Sequence, residues 1–359
     1  MPKDDDIWHL EEEFHSQDRK QFRKESKRAS KSDRSKYKKT DQDQIKKKEV
    51  DITLCQKGRV LAIFPEGIVV EIEGKEQLCH LRGSLKQEAT RLKNLIAVGD
   101  FVFVDASSLI VSIEERFSIL SRADNLSRNK EQLIAVNVDQ VLITTSVVLP
   151  ELKVSLIDRY IIAAKKGRLT PVILVNKIDL LEEESYEKAL FEEFVTVYRD
   201  LGFCVIPLSI KTKEGIDALK EVMKGKTSVF SGQSGVGKSS LINAVTNADL
   251  ATGGIVQKTK KGSHTTTTTH LIPLEGGGFC IDTPGIRSFG VWDLNPSEIV
   301  HYFDEIAKIG KKCRYPDCTH RQEPDCAVQK ALDKDKISLL RFASYCALMD
   351  SCIAEHKKR

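Results

Sequence analysis

An apolar strand, a glycine-rich turn and a helix follow one another between residues 227 and 245, and this stretch constrains the fold more than any other. The strand ends at Phe230. After it come Gly232, Gln233, Ser234, Gly235, Val236, Gly237, Lys238, Ser239 and Ser240, and the helix continues through Leu241, Ile242, Ala244 and Val245. A turn of this composition lets successive backbone N–H groups face an anion, and the positive end of the helix dipole reinforces them. Lys238 is placed to reach the terminal phosphates of a nucleotide, and the Ser239 hydroxyl to ligate magnesium. Such a loop sits at the carboxyl end of a strand in a parallel α/β sheet. It implies a nucleoside triphosphate without saying which base.

The base is read from Asn176, Lys177, Ile178 and Asp179, which follow the apolar strand Val172, Ile173, Leu174, Val175. A carboxylate at Asp179 accepts two hydrogen bonds from the ring N–H and exocyclic amino group of guanine. Adenine lacks that donor pair and would leave the carboxylate unsatisfied. Lys177 is expected along the base, and Asn176 is expected to tie this loop to the phosphate loop. Ser209, Ile210 and Lys211, after the strand ending at Pro207, are the third base contact, made through backbone N–H groups. The ligand is therefore expected to be GTP or GDP with Mg2+.

Downstream, Asp282, Thr283, Pro284 and Gly285 follow Phe279, Cys280 and Ile281. Here an aspartate holds magnesium through water and a glycine N–H meets the γ-phosphate. The polar stretch 262–269 suits a switch loop, and Thr266 is its expected magnesium ligand. The base loops precede the phosphate loop, whereas Ras-type GTPases carry them last, so the GTPase motifs are circularly permuted. The residue after Gly285 is Ile286, which cannot orient a water as the glutamine of Ras-type enzymes does. His264 is the nearest candidate to supply that group, the alternative being a partner that supplies it in trans. The alternative is a GTP-responsive RNA-binding clamp with little turnover, and an ATP-dependent phosphotransferase is a third class that Asp179 argues against.

With 359 residues there is room for several compact domains. Residues 1–49 read as a basic disordered extension, since residues 19–48 hold 14 lysines and arginines against 4 acids, a net +10 with few apolar residues. Residues 50–115 carry short β-type runs at 59–64, 67–72, 77–81 and 100–104, read as a small all-β barrel of oligonucleotide-binding (OB) type. Lys57, Arg59, Arg82 and Lys86 near its turns are compatible with RNA. Residues 116–294 alternate strands and helices, with helices expected at 154–166, 182–201 and 216–223, and form the α/β GTPase domain. Residues 295–359 are helical and contain Cys313, Cys318, His320 and Cys326, a set suited to one closed structural Zn2+ site. The switch segments directly precede this last domain, so nucleotide state is expected to pass to it.

Nine cysteines, an odd number, read as thiols or metal ligands in a reducing compartment. No apolar stretch approaches a membrane span and no secretion signal is read at the start, so a cytoplasmic protein is expected.

The barrel, permuted motifs and Cys3His set together resemble the ribosome small-subunit-dependent GTPase A family over residues 51–350. The motifs that carry the resemblance are Asn137, Val138, Asp139 and Gln140, the base, phosphate and switch loops, Asp282 to Gly285 and the zinc set. Two positions depart from the family's usual pattern: Ser263 stands where Arg is usual and Ile210 where Ala is usual. The resemblance implies a monomeric late factor in maturation of the small ribosomal subunit. It would bind ribosomal RNA through barrel and zinc domain and hydrolyse GTP when stimulated by the subunit, with His264 in place of the missing glutamine.

Overall fold

Glycine turns break a β-branched sequence into five short strands: β1 (Gln56–Phe64), β2 (Gly67–Ile72), β3 (Lys75–Leu81), β4 (Phe101–Val104) and β5 (Leu109–Ile113). They pair in the order β1-β2-β3-β5-β4, and β4 returns to β1, so the sheet closes into a barrel. Its core is Val60, Ile68, Val70, Ile72, Val102, Val104 and Ile110. A register shift in β1 between Val60 and Ala62 alters its faces. Val60 points into the barrel, whereas Leu61 and Ala62 join the core of the next layer.

The computed structural model describes residues 52–83, 85, 95–123, 131–246, 269–282 and 294–357. The basic extension 1–49 lies outside these residues. So do Lys86, His264, Thr266, Gly285 and Ile286.

After a hairpin of β6 (Ile119–Ala123) and β7 (Glu131–Val136), the chain alternates as expected. The elements are β8 (Gln140–Thr145), α1 (Val154–Lys166), β9 (Thr170–Val175), α2 (Tyr186–Asp200), β10 (Cys204–Pro207), α3 (Ile216–Met223), β11 (Lys226–Gly232) and α4 (Lys238–Thr246). A second hairpin, β12 (His270–Pro273) and β13 (Gly278–Asp282), completes the sheet. Strands β10-β9-β8-β11-β13 are parallel, and β12 is antiparallel to β13. β12 then pairs with barrel strand β1 at Ala62 and His270, so barrel and nucleotide sheet form one continuous eleven-stranded surface. β8 is buried along its whole length, as a central strand covered by helices must be.

The helix expected from residue 182 starts at Tyr186, because the Ser185 hydroxyl caps it by accepting a hydrogen bond from Lys188 N–H at 3.1 Å. Strand β5 and the β6–β7 hairpin were not among the expected elements.

The C-terminal helices are α5 (Pro296–Ile299), α6 (Asp304–Gly310), α7 (Ala327–Leu332) and α8 (Leu339–Lys357). They share a core of Ile299, Phe303, Ile306, Val328, Tyr345 and Leu348 with Ile162 of α1. Among the described residues no helix is long and apolar enough to cross a membrane.

Candidate nucleotide site and metal centre

β11 runs through the middle of the parallel sheet and ends at Gly232, so the glycine-rich loop emerges at the carboxyl edge between β8 and β13. Gly232 has φ +142°, and a side chain there would meet the Thr144 carbonyl oxygen of β8 at 2.0 Å. Gly237, at φ +95°, lies so close to Asn176 that a Cβ would stand 2.5 Å from its Nδ2. Glycine is needed at both places. The Lys238 ammonium crosses the loop and donates to the carbonyls of Gly232 (2.8 Å) and Gln233 (2.7 Å). Ser239 and Ser240 are exposed in the first turn of α4.

The base loop leaves the end of β9 beside it. Asn176 Nδ2 donates to the Val236 carbonyl at 2.7 Å, which fastens this loop to the phosphate loop. Its Oδ1 is buried with no hydrogen-bond partner among the described residues. Lys177, at φ +66°, donates through Nζ to the Leu149 carbonyl at 2.7 Å. The Asp179 side chain is 11% exposed and accepts a hydrogen bond from Ser209 Oγ at 2.6 Å, while Lys211 Nζ stands 3.9 Å from its other oxygen. Ile178 N–H donates to the Leu208 carbonyl, joining the second and third loops. The Ile210 side chain reaches to 3.9 Å from the Cβ position of Gly237.

Asp282 is the last residue of β13, next to β11, and its backbone pairs with His270 of β12. The structure therefore brings residues 176–179, 209–211, 232–240 and the end of β13 to one edge of the sheet. The cradle fits a guanine nucleotide on two counts: Gly232 and Gly237 leave no room for side chains, and the largely enclosed Asp179 carboxylate lies at the same edge, held by Ser209.

The second centre is built by the loop after α6 and the start of α7. The Sγ, Nδ1 and Sγ atoms of Cys313, His320 and Cys326 are 3.5, 3.6 and 3.8 Å apart, and those of all four residues, Cys318 included, lie within 4.8 Å of one another. Tetrahedral zinc with thiolate and imidazole ligands requires sulfur-to-sulfur separations of about 3.8 Å and sulfur-to-nitrogen separations of about 3.5 Å. The donor set fits that ion. The His320 ring packs against Gly310, where a side chain would collide with it at 2.8 Å.

Sequence reasoning missed what holds this loop. Glu323 accepts hydrogen bonds from the N–H groups of Thr319, Arg321 and Gln322 and from the Thr319 hydroxyl. Gln329 Nε2 donates to the His320 carbonyl at 2.7 Å, and Tyr345 OH to the Thr319 carbonyl at 3.0 Å. Burial pushes the Glu323 carboxyl up, but these donors outweigh it and hold it at about 2, against an ordinary 4.5. Its folded value is depressed, so its support is full above pH 4.5 and fades as pH falls from there toward 2. Glu323→Gln leaves a single acceptor oxygen for these donors. It is expected to weaken zinc retention about 10- to 100-fold, read by chelator competition, with GTP binding unchanged.

A third cluster joins the C-terminal helices to α1 and α2. Asp158 lies on the buried face of α1, ion-paired with Arg341 and hydrogen-bonded by Ser344 Oγ, both on α8, and by Tyr198 OH at 2.7 Å. Arg341 also donates to Glu305 at 2.8 Å and lies over the ring of Phe303. Burial pushes the Asp158 carboxyl up against these donors. An acid beside Ile157, Ile161 and Ile162 in an otherwise apolar helix face was the available signal.

Asn137 joins barrel and sheet, while Asp139 and Gln140 tie the start of β8 to β11 and α3. Asn137 donates through Nδ2 to Gly99 O and accepts from Phe117 N–H, Asp139 accepts from Thr227 N–H at 2.7 Å, and Gln140 donates to Ser228 Oγ and Val222 O.

A phosphate loop joined to a guanine-type base loop that precedes it in the chain defines a circularly permuted GTPase. The profile described as RsgA GTPase matches residues 113–292. This chain belongs to the RsgA GTPase family. The small ribosomal subunit biogenesis GTPase RsgA of Bacteroides fragilis is 39% identical over 284 residues, covering 77% of this chain and 91% of that protein. Its counterpart in Phocaeicola vulgatus is 36% identical over 301 residues, 82% and 96% of the two chains. Among solved structures, YjeQ from Thermotoga maritima superposes with a TM-score of 0.68 at 31% identity, covering 84% of this chain and 99% of that one. YloQ, described as a circularly permuted GTPase, gives 0.64 at 26% identity, covering 84% and 96%.

Proposed function

We propose that this protein hydrolyses GTP to GDP and phosphate on the small ribosomal subunit, as a step in that subunit's biogenesis. The observation that carries the reading is the fastening of the Asp179 loop to the Lys238 loop through Asn176, in a chain whose relatives are named for this role. Asp179 selects guanine, with the backbone of Ser209, Ile210 and Lys211 on its carbonyl. Lys238 and the N–H groups of residues 233–240 hold the phosphates. Ser239 and Thr266 ligate Mg2+, Asp282 holds it through water, and the Gly285 N–H meets the γ-phosphate. His264 orients the attacking water, the task Ile286 cannot perform. Zinc at Cys313, Cys318, His320 and Cys326 has a structural role.

The barrel's strand order β1-β2-β3-β5-β4 supports the OB type, and with it contact to ribosomal RNA. Arg59 is not one of those contacts, because it turns inward to Asn137 and Thr227. We read the protein as a cytoplasmic monomer.

The test is GTP turnover by the purified protein with and without small ribosomal subunits. Turnover is expected to rise severalfold with subunits, and His264→Ala to abolish that rise while GTP still binds. No rise with subunits overturns the reading in favour of a slow GTP-responsive clamp.

A further inference from the structure

Arg59 stands on β1 of the barrel, but its guanidinium serves the nucleotide sheet. Nη2 donates to the Asn137 carbonyl and to Thr227 Oγ1, each at 2.9 Å. The guanidinium carbon lies 5.0 Å from the ring centroid of Phe101 in the barrel and 4.8 Å from that of Phe279 in β13. Thr227 and Phe279 are registered partners on β11 and β13. Arg59 therefore grips two neighbouring strands at a single rung. Asp139, whose carboxylate takes the Thr227 N–H, adds charge attraction to the same point.

These two strands lead to the chemistry. β11 continues into the phosphate loop at Gly232, about 16 Å along the strand from Thr227 at the usual rise. β13 ends at Asp282, and its hairpin partner β12 starts four residues after Thr266 and is itself paired with β1. Packed side chains and rigid secondary elements of this kind are what can carry coupling between separated sites.

The contact is also costly. Arg59 Nε is buried with no hydrogen-bond partner among the described residues, and a partly satisfied cation is a poor choice where an apolar side chain would fill the space. Stability alone does not account for it. The zinc-bearing helices, in contrast, dock on α1, which carries none of the nucleotide loops.

We propose that Arg59 is a positioning residue that transmits engagement of the barrel to β11 and β13, and thereby sets the rate at which bound GTP is hydrolysed. This rests on the proposed subunit-stimulated hydrolysis. It assigns the stimulatory route to the barrel and makes the zinc module an anchor, where sequence order had suggested that the C-terminal domain receives the signal.

The test uses the full chain with Arg59→Ala and, separately, Thr227→Val, which removes the acceptor hydroxyl at nearly constant volume. Three quantities are measured: affinity for a fluorescent guanine nucleotide, co-sedimentation with small ribosomal subunits, and GTP turnover with and without them. Arg59→Ala is expected to leave both affinities, the KM for GTP and basal turnover unchanged, while the subunit-stimulated kcat falls about tenfold. Thr227→Val is expected to lower it in the same direction, and serves as the reading if Arg59→Ala does not fold. Full stimulation in both variants overturns the proposal and leaves Arg59 as a brace. Loss of subunit binding together with stimulation overturns it as well, since the barrel would then bind without transmitting. Absence of stimulation in the wild type overturns the reading beneath it, which separates the two failures.

Discussion

Asp179→Asn is expected to exchange the base preference of the site, weakening GTP roughly 10²- to 10⁴-fold and making xanthosine triphosphate the better ligand. The carboxylate is nearly buried and one of its oxygens is already fixed by Ser209 Oγ at 2.6 Å, so its orientation is set by the protein. Guanine offers it a ring N–H and an amino group, and a hydrogen bond to a charged partner contributes about 1.5 to 3 kcal/mol. Asparagine replaces one acceptor with a donor, which opposes the guanine amino group and suits the carbonyl that xanthine has there. Competition of GTP, xanthosine triphosphate and ATP against a fluorescent guanine nucleotide checks this. If the variant keeps its preference for GTP, Asp179 does not contact the base, and if ATP displaces the probe best from the wild type, the guanine assignment fails.

The second large effect concerns Asp158. Its side chain is 1% exposed and that of Arg341 3%, and the pair joins α1 to α8. Asp158→Ala leaves a buried guanidinium with Glu305 as its one charged partner among the described residues, and breaking a buried pair from one side costs about 3 to 5 kcal/mol. Replacing both members, Asp158→Leu with Arg341→Met, is expected to restore most of the loss because no charge is then stranded. Denaturant unfolding followed by circular dichroism measures both. GTP binding to the folded fraction should be unaffected, since no member of the cluster belongs to the nucleotide loops. A single variant as stable as the wild type shows that the pair contributes nothing net.

What could be read in advance was chemistry with fixed local spacing. The residues from Gly232 to Ser240 must be contiguous to wrap phosphate, and Asn176 to Asp179 must follow a strand directly to reach a base, so both are legible in the sequence. The zinc set spans only 14 residues, from Cys313 to Cys326, and was legible for the same reason. The connections between layers were not. Arg59 meets Thr227 across 168 residues, and Arg341 meets Asp158 across 183. No local pattern marks such pairs, and Arg59, near the turns of a short β-type run, reads as a cation compatible with RNA. Strand β5 was overlooked for a smaller reason: Asp105 accepts hydrogen bonds from Ser107 and Leu109 N–H and makes the tight turn that separates it from β4.

The register shift in β1 bears on the order in which the molecule can be made. By turning Leu61 and Ala62 away from the barrel's own core, it gives the barrel a second apolar face, to which Val69 and Val98 also belong. The partners of that face include Leu271 and Ile281, on the hairpin that closes the sheet some two hundred residues later. A nascent barrel can close on Val60 and Val70 as soon as it emerges, but its outer face is completed only when β12 and β13 arrive. A polypeptide halted before β12 would leave Leu61 and Ala62 without Leu271 and Ile281, so the barrel's outer face depends on a hairpin made much later than the barrel itself.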